Sequence, residues 1–198
     1  MEDAYFDFFD HRAFSDGSPY YPCYCSGFNM RKDEIHHLQD HAKPQRNAEE
    51  SWRNILRICA VQMVRQGKIK GYLAFDRDKA IAWCNANDRL TYFRTGEFDV
   101  DHMPEDEKPD VSLKQGQIKS VVCFAISPEY RHRGIASKLL ERVCLDAKNE
   151  GYEFVEAYPR LAYSDEPAFT GPLRLYEKAG FKEYARNASG MTMRKALL

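Results

Sequence analysis

Hydrophobic positions recur along the chain at helical spacing in some segments and in short apolar runs in others. Apolar residues at helical spacing follow the capping box at Asn47 to Glu50 and stop at Gly67. A second amphipathic stripe begins at Ile135 and stops at Gly151. These patterns predict two long helices, and shorter helices are expected over residues 4–10 and 173–179.

Short apolar or alternating runs predict the strands, which we place at residues 71–75, 80–84, 120–126, 154–158, 182–186 and 191–195. The strand, helix and strand between residues 120 and 158 form a β-α-β unit. Such a unit implies a parallel pair with a right-handed crossover. Hairpins before and after it imply antiparallel neighbours. The predicted fold is therefore of the α/β (mixed α+β) class, a mostly antiparallel mixed sheet flanked by helices.

Two segments lie outside this pattern. Residues 1–46 are interpreted as an N-terminal extension that joins the fold, with a turn at 15–18 and an extended piece at about 20–28. Acidic residues and two prolines crowd residues 94–117, which we interpret as an insertion or lid. No linker divides the chain, and 198 residues suit one domain, so we predict a single domain over 1–198.

Composition narrows the function classes. The net charge is −1 and the pI is about 6.6, which gives no bulk positive field for nucleic acid or an anionic membrane. The N-terminus carries early acids and no long apolar run, and no later stretch is apolar for long enough to span a bilayer. Six scattered cysteines without a secretory signal are typical of reduced thiols. We expect a cytoplasmic protein that binds neither nucleic acid nor membrane.

Four cysteine and histidine residues lie at spacings that could suggest a metal site. Cys23, Cys25, His37 and His41 would be the ligands of a hypothetical zinc site, but Cys-x-Cys spacing is unusual for structural zinc. We expect no metal. A second hypothesis is that Cys23, Cys25 and Cys84 face a shared pocket. The favoured interpretation is that these three cysteines simply pack in the core.

A phosphate-binding loop is the most distinctive local pattern. A strand ends before Pro128, a basic turn of Arg131, His132 and Arg133 follows, and Gly134 precedes a helix. The first amides of a helix have no intrahelical partner and its dipole favours an anion there. A glycine lets the ligand approach the backbone closely. The alternative is a solvated helix cap.

Residues 126–136 resemble the coenzyme A signature of the GNAT superfamily of acyltransferases, and residues 175–181 resemble its second signature. The resemblance covers about residues 50–198. It implies that loop amides bind the coenzyme A pyrophosphate and that freed backbone groups of the preceding strand hold the pantetheine arm. The binding residues it implies are Phe124, Ala125, Ile126, Arg131, His132, Arg133, Gly134, Ile135, Ala136 and Ser137. Residues 23–25 and 83–89 are similar to a bacterial branch of the superfamily with no known substrate.

The resemblance implies direct attack of a primary amine on the thioester of acetyl-CoA. Tyr176 matches the family's general acid for the departing thiolate, and its alternative role is packing. Glu156 and Asp88 are the candidate general bases, although a water relay would need neither. Asn85 and Asn87 are expected to line the acceptor pocket.

The acceptor stays open between a small-molecule amine and a lysine or N-terminal amine. The acidic insertion could attract a cationic acceptor, or it could be a solvated loop. A non-catalytic acyl-CoA-binding sensor or regulatory module is the rival function. The aromatic N-terminus also makes a homodimer possible.

Overall fold

The computed structural model describes residues 1–18, 21–42, 48–95, 98–99, 114–159, 169–187 and 190–197. Its strands are β1 (Gly71–Asp76), β2 (Lys79–Asp88), β3 (Arg94–Thr95), β4 (Phe98–Asp99), β5 (Ile118–Ile126), β6 (Phe154–Ala157), β7 (Lys182–Asn187) and β8 (Gly190–Ala196). Six of them form one sheet in the order β1-β2-β5-β6-β8-β7, and β3 pairs with β4 separately. Only β5 and β6 are parallel within the sheet, which confirms the predicted mixed, mostly antiparallel α/β fold.

Helices cover both faces of this sheet. They are α1 (Glu2–His11), α2 (Lys32–Ala42), α3 (Ala48–Arg65), α4 (Ile135–Asn149) and α5 (Leu173–Lys178), with short 3-10 helices at Ser26–Asn29, Arg89–Thr91 and Pro128–Tyr130. The apolar stripe of α4 packs with α5 against one face, where Leu140, Val143 and Tyr176 are buried. The N-terminal extension and α3 pack on the other face, around Phe8 and Trp83.

The parallel pair separates before β5 ends, and this separation positions the candidate site. Register pairs run only from Ile118↔Phe154 to Val121↔Ala157, while β5 continues to Ile126 against β2. The amide of Phe124, beyond the last of these pairs, donates instead to the carbonyl of Phe169, at 2.6 Å.

Asp10 fixes the N-terminal extension to α3. Its carboxylate accepts hydrogen bonds from the Tyr24 hydroxyl at 2.5 Å and from Arg53 and Arg57 at 3.1 Å each. Burial alone would raise the pKa of Asp10, but the hydrogen bonds from Tyr24 and Arg57 outweigh it and the pKa lies below its ordinary value. Residues 1–30 are therefore tied to the sheet through α1.

Two sequence expectations need comment. The segment expected to be extended at about 20–28 ends instead in the 3-10 helix Ser26–Asn29, preceded by a left-handed Cys25, because Phe28 turns into the aromatic core. Of the acidic segment 94–117, residues 96–97 and 100–113 lie outside the described residues, as does Asn47 of the predicted cap. The insertion or lid, and the single-domain boundary, therefore stay predictions.

Candidate active site

A large cavity lies where the end of β5, the start of α4 and the N-terminal extension meet. Its volume is about 660 Å³. Five of the residues predicted to bind coenzyme A contribute to its wall, namely Phe124, Ala125, Ile126, Arg131 and Ala136. The structure thus brings the end of β5 that β6 no longer pairs and the basic loop to one space.

The loop backbone leaves the start of α4 open. Gly134 is the N-cap of α4 with φ of 75°, and no side chain caps the helix there. The first intrahelical bond runs from the Lys138 amide to the Gly134 carbonyl at 3.2 Å, so the amides of residues 135–137 precede it. A Cβ placed on Gly134 would meet nothing within 4 Å. An anion could therefore approach these amides directly.

The three basic side chains of the loop have different surroundings. Arg131 donates to the Ile126 carbonyl at 3.2 Å and to Asp16 at 2.5 Å, so it ties the loop to β5 and to the N-terminal extension. Arg133 is exposed and stacks over the ring of Tyr130, 5.1 Å from its centroid. His132 is also exposed and has φ of 61°. Arg131 therefore holds the loop in shape, while His132 and Arg133 face solvent.

Tyr176 lies one layer behind the cavity. Its side chain is completely buried, and its hydroxyl donates to the carbonyl of Thr170. Burial raises the pKa of Tyr176 well above its ordinary value. A Cβ on Gly171, which lines the cavity, would lie 3.0 Å from the Tyr176 hydroxyl. The phenol is thus separated from the cavity by the backbone of Gly171.

Glu156 and Asp88, the candidate bases, are not among the residues that line this cavity. Glu156 accepts two bonds from Arg194, at 2.8 and 2.6 Å, and one from Tyr158 at 2.9 Å. Asp88 caps the 3-10 helix Arg89–Thr91 and accepts from the Gly116 amide at 2.6 Å. In the strand register Asp88 lies opposite Lys119, near the start of β5. The basic loop follows the other end of β5, so the distance from Asp88 to the loop is roughly 20 Å along the strand.

Asn85 and Asn87 are also absent from the described wall of the cavity. Asn85 is buried in β2 and accepts from the Tyr92 hydroxyl at 2.8 Å. Asn87 donates to the Gly67 and Lys68 carbonyls and lines a second cavity of about 570 Å³. Both amides belong to β2, which extends further than the sequence pattern predicts.

Part of the chain matches a known family model. The profile of the GNAT acetyltransferase domain matches residues 100–183, which include β5, the basic loop, α4 and α5. These residues, less than half of the chain, are therefore similar to a GNAT acetyltransferase domain. No curated protein matches the sequence of this chain.

Solved structures similar to this chain share little sequence with it. A GNAT-family protein from Desulfovibrio desulfuricans is 15% identical, with 85% of this chain and 95% of that chain covered and a TM-score of 0.47. The ribosomal-protein-S18-alanine N-acetyltransferase of Escherichia coli is 13% identical, with 70% and 76% covered and a TM-score of 0.43. A protein from Salmonella typhimurium, solved with its cofactor acetyl-CoA, is 14% identical, with 72% and 73% covered and a TM-score of 0.44.

The largest part of the site that sequence reasoning missed is the wall built by the N-terminal extension and α3. That wall includes Phe9, Phe14, Tyr24, Phe28 and Met30, and α3 adds Trp52 and Leu56. The density of aromatic residues in the first 30 positions was the available signal. It indicated burial but not the surface against which these rings pack.

Three thiols line the same cavity. They are Cys23, Cys25 and Cys123; Cys84 instead packs on the opposite face of the sheet with α4. The Cys25 amide donates to the Cys23 sulfur at 3.3 Å. Thiol–thiol hydrogen bonding and burial raise the pKa of Cys23 and of Cys25 well above the ordinary value, which disfavours the thiolate.

Among the described residues, no group of three or more His, Cys, Asp or Glu side chains could hold a metal ion. None of the helices in this part of the chain is long and apolar enough to cross a membrane.

Proposed function

We propose that this protein is an N-acetyltransferase that moves the acetyl group of acetyl-CoA to a primary amine by direct attack. The observation that carries the proposal is one cavity that joins the open N-terminus of α4 to the end of β5 that β6 no longer pairs. The first feature suits a pyrophosphate, and the second suits an extended thioester arm.

Coenzyme A would bind with its pyrophosphate at the amides of Ile135, Ala136 and Ser137. His132 and Arg133 add positive charge at the solvent side of the loop. The pantetheine arm would follow Phe124 to Ile126 in the gap beside β5. Because Phe169 already accepts from the Phe124 amide, that contact must be exchanged for one to the cofactor.

The reaction itself needs no protein nucleophile. The amine nitrogen attacks the thioester carbon, the carbon–sulfur bond breaks, the nitrogen loses one proton and the coenzyme A sulfur gains one. Tyr176 is the proposed proton donor, since its hydroxyl lies 3.0 Å from the Cβ position of Gly171, which lines the cavity. Because burial raises the pKa of Tyr176, the phenol is protonated, and the approach of the thiolate would have to be accompanied by a lowering of that pKa. The bond of Tyr176 to Thr170 would be exchanged during the step.

Water in the cavity is the proposed acceptor of the amine proton. Glu156 is neutralised by Arg194, and Asp88 lies at the far end of β5. These contacts support structural roles for both carboxylates. An acetyl-cysteine intermediate is not proposed, because the raised pKa values of Cys23 and Cys25 leave little thiolate at neutral pH.

One observation favours a second candidate, the non-catalytic acyl-CoA-binding module. Both the Phe124 amide and the Tyr176 hydroxyl already bond to the backbone of residues 169–170. A module that binds acyl-CoA without turnover would keep these two bonds. An enzyme would exchange them when the thioester arrives.

The compartment and partners form part of the same proposal. All six cysteines are free thiols, which supports a reducing compartment such as a bacterial cytoplasm. The near-neutral charge supports a small-molecule or protein amine as partner, with no nucleic acid or membrane. A homodimer stays a prediction.

A thiol-release assay tests the function and separates the two candidates. Purified protein is mixed with acetyl-CoA and a panel of primary amines, and free coenzyme A is followed with a thiol reagent. Amine-dependent release supports the transferase. Acetyl-CoA binding in calorimetry without release from any amine would support the module and contradict the transferase.

A further inference from the structure

Aromatic and aliphatic side chains of α1, α2, α3 and residues 28–30 line part of the cavity. We call this part the acceptor chamber, and its walls are Phe9, Phe28, Met30, Ile35, Trp52 and Leu56. The rings also pack on one another, since Phe9 lies 5.9 Å from Tyr24 and Phe28 lies 6.1 Å from Phe169 between centroids. The chamber is a built apolar surface, because α1, α3 and the segment at residues 24–30 all contribute to it.

Negative charge is missing from this wall. No Asp or Glu is among the residues known to line the cavity in the described ranges. Two acids of the N-terminal extension are already in ion pairs, since Asp10 pairs with Arg53 and Arg57, and Asp16 pairs with Arg131. A polycation such as a polyamine would therefore lose its hydration in the chamber without gaining an ion pair.

We propose that the acceptor is a hydrophobic primary amine, in which the amino group is carried by an aromatic or branched aliphatic body. This inference rests on the proposed function and deepens it by naming the substrate class. A cavity of about 660 Å³ has the size of an ordinary small-molecule site, for which about 300–1,000 Å³ is typical. It has room for the acetylated end of the cofactor and for one such amine.

The chamber also offers a chemical reason for this choice. The free amine is the nucleophile, while an ammonium ion has no lone pair to attack with. Because burial in apolar surroundings disfavours the charged form, the chamber lowers the pKa of a bound ammonium group. It thereby promotes loss of the proton at a wall that carries no carboxylate among its described residues. A hydrophobic body is what brings such an amine into the chamber.

Competition between matched amines tests the substrate class. At fixed acetyl-CoA, we expect kcat/KM for 2-phenylethylamine and isoamylamine to exceed that for spermidine and kanamycin on the order of 100-fold, a discrimination that apolar pockets reach. A preference for spermidine or kanamycin would overturn the inference while the proposed function stands. Faster transfer from octanoyl-CoA than from acetyl-CoA to one amine would also overturn it, because the chamber would then hold the acyl chain.

A charge placed in the wall gives an independent check. Ile35 in α2 lines the chamber and is half-buried, while Ile58 in α3 is 60% exposed and is not among the lining residues. Ile35→Asp should lower kcat/KM for 2-phenylethylamine about tenfold and raise it for spermidine, since a carboxylate now faces the ammonium group. Ile58→Asp should leave both unchanged. Equal effects of the two variants would contradict the assignment of the chamber.

Binding without turnover separates this inference from the proposed function. Calorimetry measures 2-phenylethylamine binding to protein saturated with coenzyme A, with spermidine as the comparison. Binding of the aromatic amine alone supports the chamber even where no acetyl transfer occurs, in which case only the proposed function fails. Absence of binding by 2-phenylethylamine would overturn the inference directly.

Discussion

At the scale of single residues, Gly134 combines a backbone requirement with a ligand requirement. Its φ of 75° favours glycine, and a Cβ there would meet no atom within 4 Å at the N-terminus of α4. Gly151, just after α4, shares both properties with φ of 87°, but it lies at the other end of the helix. Substituting each of these two glycines therefore separates the effect of backbone strain on stability from the effect on coenzyme A binding.

Gly134→Ala should weaken coenzyme A binding at least tenfold, because the new methyl group occupies the approach to the α4 amides. Each of Gly134→Ala and Gly151→Ala should lower the free energy of unfolding by about 1 kcal/mol, because both glycines have positive φ. Gly151→Ala should leave the affinity for coenzyme A unchanged. Calorimetric titration and thermal unfolding of both variants make the comparison. Unchanged affinity in the Gly134 variant would remove the loop from the cofactor site.

Tyr176→Phe should reduce turnover on the order of 100-fold with nearly unchanged cofactor affinity, as expected when a general acid is lost. Loss of the bond to Thr170 should cost about 1 kcal/mol of stability as well. Tyr130→Phe is the control, since it removes a hydroxyl that donates to Asp76 on the surface at 2.7 Å. Full turnover in the Tyr176 variant would assign protonation of the thiolate to water.

Cys25→Ser and Cys123→Ser should each retain turnover within about threefold of the parent, because direct attack uses no enzyme thiol. Steady-state kinetics with acetyl-CoA and the best amine measure this. The rate law provides a second readout, since direct attack gives intersecting double-reciprocal lines. Parallel lines, together with inactivity of either variant, would indicate an acetyl-cysteine intermediate.

At the scale of elements, the helices and strands followed from local patterns, while the wall of the site did not. The stripe of α4 and the run of β5 each lie within one segment, so their periodicity predicts them. The contact of Cys25 and Phe28 with the end of β5 joins residues far apart in sequence, and no local period encodes it. The role of Asn85 was likewise not predictable from local sequence, because the Tyr92 hydroxyl that bonds to it was identified only from the structure.

Attachment of α1 is a testable consequence at this scale. Asp10→Asn should lower the free energy of unfolding at pH 7 by about 1–3 kcal/mol, because it removes charge from a hydrogen-bonded, largely buried site. Asp7→Asn on the same helix is the control. It breaks an ion pair with Arg12 in which Asp7 is 53% exposed, and we expect a cost of about 0.5 kcal/mol or less.

The pH dependence of this difference has a defined sign. The folded-state pKa of Asp10 is lowered, so its stabilisation is complete above the unfolded value of about 3.9 and is lost as pH falls through the folded pKa. The gap between parent and Asp10→Asn in urea unfolding should therefore shrink as pH falls from 5 toward about 2. A constant gap over that range would show that the carboxylate charge is not the cause.

At the scale of the whole molecule, one face of the sheet carries α4, the proposed cofactor helix, and the other carries α1 and α3, which contribute to the proposed acceptor wall. Residues 100–183 match the GNAT domain model, and the β-α-β unit among them was predictable from the sequence. The proposed acceptor wall is formed mainly by the N-terminal extension and α3, which precede the matched residues. Substrate choice in this protein should therefore depend on residues 1–56 more than on the GNAT motifs.

The measurement that tests the central claim most directly is a thermal-shift titration of the purified protein with acetyl-CoA and coenzyme A. A ligand that binds only the native state stabilises it by about 2.7 kcal/mol at a concentration 100 times its Kd. The account predicts that the Tm rises with the logarithm of acetyl-CoA concentration. Folded protein whose Tm does not move with either ligand would contradict a coenzyme A site in the cavity between β5 and α4.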